Sequence, residues 1–569
     1  MFYVKLLTCC LVTSLYLVIV QGHEPKICTF DAGCFIGFEM EGYQIEKFEA
    51  YLGIPYAVKP RRFHSPKRFY SSETFQAKDA KFSCIQKNYY VPGWRVTGDE
   101  DCLYLNVYRP YKPEASEFFP VIFYVHGGGF FAGSSAPIHT GPEYIMDNEH
   151  TVVVTIAYRL GAFGFLTTGD GVIPGNLGLK DQAEALRWVF RNIEAFSGDR
   201  FRITLVGQDA GAVSVHMHMF SKLTTRLFHA IVAISGTANA PFAIDDNPER
   251  TARETAKHCN ITDWDTITTA QLAKALESVP MYVLLDAGDH LKYWDIDNLV
   301  NYKPIVERNV PFGYLIEHPD EYIRTGNYNP VPIMFGRVPI EGGLRTVGIM
   351  SSDVLHKDFN THFFYLMVKF LEFPAKFDDS QKTEKTKLIL DEYLNGTHEL
   401  NEETWDGFMD LITHRNFYHP LYNTIKYYVE TIDTKKYPVF LYNFNYIGNY
   451  SYSEVIAGHR LFYDYGVIHC DDLIYLLRQR LLFPDFPRNS AEATVVAKYV
   501  HVLTYFAHTT ELVYIDSKFK PCNDETFFPS DGKMCDSFEF VNGENDSIVL
   551  SPNDAFDTKR MKFWDKILK

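Results

Sequence analysis

Residues 205–214 read LVGQDAGAVS: an aliphatic run, then Gly207 and Gly211 bracketing Gln208-Asp209-Ala210, then what reads as a helix start. A strand that turns sharply into a helix around a central side chain is a nucleophile elbow, and its flanking positions must be small because the turn is too tight for a Cβ there. Gly207 and Gly211 meet that requirement, but the central residue is Asp209 where Ser is expected. The elbow forces positive φ at its centre, and Asp is among the few non-glycine residues that tolerate it. The turn is therefore expected to survive. The chemistry is not: a carboxylate attacking an ester carbonyl forms an anhydride that collapses back to reactants. A carboxylate can instead attack a saturated carbon, giving an ester that an activated water then cleaves.

The surrounding pattern supplies the elements that position such a turn. Residues 119–131 (FPVIFYVHGGGFF) read as a buried strand ending in a glycine turn, and 150–165 (HTVVVTIAYRLGAFGF) as a strand followed by a loop. In 179–196 (LKDQAEALRWVFRNIEAF), Ala183, Leu186, Val189, Phe190 and Ile193 fall at helical spacing. Residues 202–211 and 227–236 add further strands. Strand, helix and strand in succession predict α/β architecture, a large and mostly parallel sheet covered by helices. The middle of the chain, about 245–430, is richer in helix-like and aromatic stretches such as 361–373 (THFFYLMVKFLEF), with a short strand at 331–338. Residues 437–448 return to strand, and 491–508 (AEATVVAKYVHVLTYFAH) predict a long amphipathic helix. From about residue 517 the Gly, Asn, Asp and Pro content predicts an irregular extension. With no repeat, low-complexity tract or linker, residues 23–569 are expected to form one domain.

The motifs together resemble the type-B carboxylesterases, the cholinesterase-like branch of the α/β-hydrolase fold. The resemblance rests on GIPYAVKPRRFHSPKRF (53–69), EDCLYLNVYRP (100–110), HGGGF (126–130) with Gly133, YRLGAFGFL (158–166), GNLGLKDQAEALRWV (175–189), NIEAFSGD (192–199) and GVIHCDDLIYLL (466–477), in family order from about Phe48 to Phe506. It implies His469 as catalytic base, Glu341 as the acid that orients it, and the amides of Gly128, Gly129 and Ala210 as oxyanion donors. Two departures fall at the centre: Asp209 replaces the Ser nucleophile, and Gln208 replaces the Glu that usually precedes it. Loss of a triad nucleophile costs on the order of a million-fold in turnover. A carboxylate oxygen of Asp209 is expected to enter the oxyanion hole and satisfy its three donors. His469, between Asp209 and Glu341, is expected to be held as imidazolium. The alternatives are residual hydrolysis of carboxylic esters, with Ser214 or Ser235 as a substitute nucleophile, or an Asp-nucleophile reaction on epoxides or haloalkanes through Asp209, His469 and Glu341. That last chemistry also needs a Tyr or Trp to polarise the leaving group.

Residues 1–22 place Lys5 before an unbroken run of fifteen apolar or hydroxyl residues, the pattern of a cleaved secretory signal peptide. The run is short of the roughly 20 residues needed to span a bilayer. A secreted, extracellular protein is expected. Ten cysteines less Cys9 and Cys10 of the leader leave eight, an even number suited to an oxidising compartment. The resemblance implies a Cys84–Cys102 bridge; Cys28 with Cys34 and Cys522 with Cys535 offer local pairs. Cys259 faces Ala275 where the family has its partner, and Cys470 replaces a Gly, which makes both candidates for free thiols. Sequons at Asn260, Asn395, Asn449 and Asn545 are candidate glycosylation sites. A net charge of −16 with dispersed cations argues against nucleic acid or an anionic membrane as partner. No cofactor or metal motif is read. With ester chemistry lost, the remaining uses are a small hydrophobic ligand in the pocket, an extracellular protein partner on the surface, or regulation of a catalytic relative.

Overall fold

The computed structural model describes residues 24–81, 83–90, 96–147, 150–307, 310, 313–459, 463–514, 517–518, 521–522, 536–543 and 548–569. The leader at 1–22, Cys535 and Asn545 lie outside these residues.

An 11-stranded sheet organises the chain. Its strands, in chain order, are β1 (Phe38–Glu41), β2 (Lys47–Pro55), β3 (Tyr104–Pro110), β4 (Phe119–Val125), β5 (Val152–Ile156), β6 (Gly198–Gln208), β7 (Ala230–Ile234), β8 (Ile333–Arg337), β9 (Val439–Asn445), β10 (Asp536–Asn542) and β11 (Ile548–Asp554). Their spatial order is β11-β10-β9-β8-β7-β6-β4-β5-β3-β2-β1. Strands β5, β4, β6, β7, β8, β9 and β10 run parallel, with antiparallel strands at both margins. The central strands are buried on both faces, which is why they read as unbroken apolar runs rather than alternating ones.

Helices cover both faces. Helix α1 (Leu177–Asn192) and α2 (Ala210–Phe220) pack on one side, where Leu186, Val189, Val213 and Met217 share a core with Phe123, Leu205 and Phe335. Helix α3 (Ala491–Thr509) covers the other, where Val496, Tyr499 and Phe506 meet Tyr124, Val206, Val232 and Phe440. Residues 361–373, read as one helix-like stretch, fall mainly in Phe363–Phe370, which follows a helix over Asp353–Thr361.

The segment beyond 517 corrects the expectation of an irregular extension. Strands β10 and β11 add to the sheet margin, and a final helix spans Thr558–Leu568. Phe538 and Phe540 of β10 are buried against Tyr442 of β9, so aromatic packing overrides the turn-forming composition around them.

Cys28–Cys34 and Cys84–Cys102 are disulfides, and Cys259 and Cys470 are free thiols. Cys522 is disulfide-bonded as well. Asn260, Asn395 and Asn449 are exposed. The Cys84–Cys102 bridge closes a separation of 18 residues just ahead of β3. On the chain-entropy account, the Cys84→Ser/Cys102→Ser variant should lose about 3 kcal/mol of unfolding free energy, read as a lower urea midpoint with a slope that is no smaller.

Candidate active site

Strand β6 runs into α2 through Asp209, and the turn between them leaves no room for side chains on either flank. A Cβ on Gly207 would lie 2.2 Å from the Gly211 carbonyl oxygen, and one on Gly211 would lie 2.1 Å from the Val125 carbonyl oxygen. Asp209 itself has φ 54° and ψ −121°. The sign of φ follows the sequence reading, but this ψ lies outside the left-handed helical well in which Asp is tolerated, in territory normally reserved for glycine. Main-chain bonds fix it there: the Asp209 amide donates to the Ile234 carbonyl at 2.9 Å, and its carbonyl accepts from the Val213 amide at 2.9 Å.

The glycine turn after β4 faces this carboxylate. Gly128 and Gly129, both at positive φ, donate their amides to Asp209 Oδ2 at 2.9 and 2.7 Å. Tyr158 donates its hydroxyl to the His126 carbonyl at 2.9 Å and helps hold the start of that turn. The expected third donor does not join: Ala210 makes no hydrogen bond to the carboxylate, so Oδ2 takes two amides rather than three.

Glu341 lies in the turn after β8, fully buried, with Oε1 accepting from the Val338 amide at 3.2 Å. His469 follows Ile468, which bridges Ile340 in the same turn and so brings the imidazole to the carboxylate. His469 Nδ1 lies 2.5 Å from Glu341 Oε2. Phe417 packs against the ring with centroids 5.1 Å apart. On the other nitrogen the structure differs from the two-carboxylate expectation. Nε2 is 3.8 Å from Asp209 Oδ1, but its direct neighbour is the Gln208 amide group at 2.9 Å, which also reaches Cys470 Sγ at 3.2 Å.

Burial opposes charge on this imidazole, yet Cys470 and Glu341 more than offset it and hold the His469 pKa well above the usual range. Burial also raises the Cys470 thiol pKa, against the pull of the neighbouring His469. The structure turns the Gln208 amide nitrogen toward Nε2, a donor that suits a neutral ring, and an imidazolium there requires the amide rotated to present its oxygen. Cys470 occupies a position with φ 77°, one that favours the glycine it replaces.

Asp209, His469 and Glu341 thus meet at the wall of a cavity of about 420 Å³, within the range of small-molecule sites. Phe131, Phe242, Leu299, Val300, Phe370 and Phe417 give it an apolar lining. Tyr90 also lines it, with a buried hydroxyl that has no hydrogen-bond partner among the described residues. Neither Gln208 as a partner of His469 nor Tyr90 was marked by a motif; Gln208 was noticed only as a departure, and Tyr90 stands in ordinary sequence. Ser214 does not replace the missing nucleophile: fully buried on α2, it donates to the Ala210 carbonyl at 2.8 Å and accepts from Gln182 at 3.1 Å. Ser235, also buried, lines a separate small cavity.

A largely parallel sheet whose strand ends bring a tight strand-to-helix elbow, a histidine and a buried glutamate together defines the α/β-hydrolase fold. The crystal structure of juvenile hormone esterase from Manduca sexta, with OTFP covalently attached, superposes with a TM-score of 0.79 at 23% identity, covering 96% of this chain and 99% of that one. The carboxylesterase family profile matches residues 24–535, and the chain belongs to that family. Juvenile hormone esterase of Tribolium castaneum is 35% identical over 477 residues, 80% of this chain and 79% of that protein. Venom carboxylesterase-6 of Apis mellifera is 30% identical over 551 residues, 95% and 94% of the two chains.

A histidine whose pKa is raised on folding contributes stability that is complete below its unfolded value near 6.5 and lost as pH rises through the folded value. Nitrogen NMR at pH 7 should therefore find both His469 ring nitrogens protonated. Glu341→Gln should lower the titration midpoint by about 1–3 pH units.

Proposed function

We propose that this protein is a secreted carboxylesterase-family member that binds a small apolar ligand in its cavity and does not hydrolyse esters. One observation carries the reading: the oxyanion donors Gly128 and Gly129 are already bonded to Asp209 Oδ2. An ester carbonyl entering the site finds no serine to attack it, and the amides that would stabilise its tetrahedral adduct are already occupied. A His469 held as imidazolium cannot accept a proton, which removes the general base as well.

The cavity supports ligand binding over a purely surface role. Its aromatic and aliphatic walls suit a nonpolar molecule, and the polar groups at one end would orient a single ester, carbonyl or epoxide oxygen. Two relatives carry names that specify a hormone ester, which makes an apolar ester of that kind the first ligand to test. Secretion is supported by the leader composition, by the disulfides and by three exposed sequon asparagines. No helix among the described residues is long and apolar enough to cross a membrane.

A second reading has a specific observation in its favour. Among the described residues no hydrogen bond reaches Asp209 Oδ1, and the Tyr90 hydroxyl, without a partner among them, lines the same cavity. That is the pairing a carboxylate nucleophile and a leaving-oxygen donor would need to open an epoxide. Its hydrolytic half requires a neutral His469 to activate water, and Glu341 disfavours that state.

Wild type on naphthyl and nitrophenyl esters should give background rates, on the order of a million-fold below a complete triad. Asp209→Ser should gain measurable turnover, and calorimetry should show wild type binding a long-chain methyl ester intact. Ester turnover by wild type at ordinary enzyme rates would remove the proposal. Epoxide opening that disappears in both Asp209→Asn and Tyr90→Phe would replace it with the second reading.

A further inference from the structure

The helix Trp405–Thr413 does not pass straight into the helix His419–Thr431; a turn of π-helix, His414–Tyr418, joins them. A π turn accommodates an extra residue and re-aims the side chains around it, and such turns recur at functional sites. The side chains at its centre take separate tasks. Arg415 donates to the Leu371 and Glu372 carbonyls at 2.8 and 2.7 Å, and Phe417 packs on His469. Asn416, between them, lines the ligand cavity.

Asn416 Oδ1 is buried and has no hydrogen-bond partner among the described residues. Its companions along this wall are apolar: Ile412 at the end of the preceding helix, Phe370, and Phe242, whose ring lies 5.8 Å from that of Phe417. Glu372 also lines the cavity, but its carboxylate accepts from Lys303 Nζ at 2.5 Å and, being an acceptor itself, offers nothing to an amide oxygen.

A buried acceptor left unmet costs stability that an apolar side chain of the same shape would not forfeit. An ordered water is held by about three polar partners, which one amide in an aliphatic and aromatic wall does not supply. The group that meets this atom therefore comes with the ligand. An ester, ketone or epoxide brings only acceptors and cannot serve Oδ1. A hydroxyl donates to it, and serves equally well if the amide turns to present Nδ2. We propose that Asn416 is a specificity-determining residue of the cavity, and that the ligand is an apolar ester bearing a hydroxyl on its carbon skeleton. This inference rests on the ligand-binding reading above and adds to it the second functional group that the molecule must carry.

The test is calorimetry of wild type and Asn416→Leu with methyl dodecanoate and with its monohydroxylated isomers, the hydroxyl being walked along the chain. One isomer should bind wild type about tenfold more tightly than methyl dodecanoate. In Asn416→Leu that preference should disappear, with the unsubstituted ester bound at least as well as by wild type. The leucine variant should also melt no lower than wild type, because it removes an unmet acceptor from an apolar wall; a clearly lower midpoint marks a purely structural amide and overturns the inference. If methyl dodecanoate binds but no isomer binds more tightly, or if the gain persists in Asn416→Leu, the inference falls while the ligand reading stands. If neither the ester nor any isomer binds, the ligand reading falls and takes this one with it.

Discussion

A carboxylate stands at the head of a helix, gripped by two main-chain amides from the loop of the neighbouring strand, and the rest of the site is arranged around that contact. The Gly128 and Gly129 amides reach Asp209 Oδ2 because β4 and β6 are adjacent and parallel, so that the turns leaving both strands emerge at one edge of the sheet. Glu341 and His469 arrive at the same edge from the turn after β8 and the loop that bridges it. In a serine hydrolase those amides wait for charge to develop on a substrate. Here the acceptor belongs to the protein.

The fold was largely legible in the residue pattern. Runs such as FPVIFYV and VVVTI can only be buried parallel strands, and the 3.6-residue spacing of Ala183, Leu186, Val189, Phe190 and Ile193 fixes a covering helix. The C-terminal strands were not legible, because their turn-rich neighbours masked Phe538 and Phe540, whose burial depends on Tyr442 nearly a hundred residues earlier. The same limit applies inside the site. Motifs located Asp209, His469 and Glu341, but the 2.9 Å contact between Gln208 and His469 depends on side-chain direction, which periodicity does not carry. Tyr90 and Asn416 are visible only as buried atoms without partners among the described residues, a property of the packed molecule alone.

Gln208 and Asp209 act together. In this family the residue before the nucleophile is usually Glu; a Glu at 208 beside Asp209 and Glu341 would place three carboxylates around one imidazole. An amide removes one of those charges while keeping a group that can meet His469 in either protonation state. A carboxylate at 209 thus has a neutral neighbour that makes it electrostatically tolerable.

The backbone at Asp209 carries a consequence for how such a site evolves. Its φ of 54° and ψ of −121° belong to a conformation that costs of order 1–3 kcal/mol for a side chain bearing a Cβ. A catalytic serine leaves that strain uncompensated between turnovers, because its oxyanion donors have no acceptor until substrate comes. Asp209 supplies the acceptor itself, and each charge-assisted hydrogen bond offsets about 1.5–3 kcal/mol. The exchange turns a tensed working part into a relaxed structural one. An elbow held in this way has no stability to gain by relaxing, so the strained turn and the amides that grip it preserve one another.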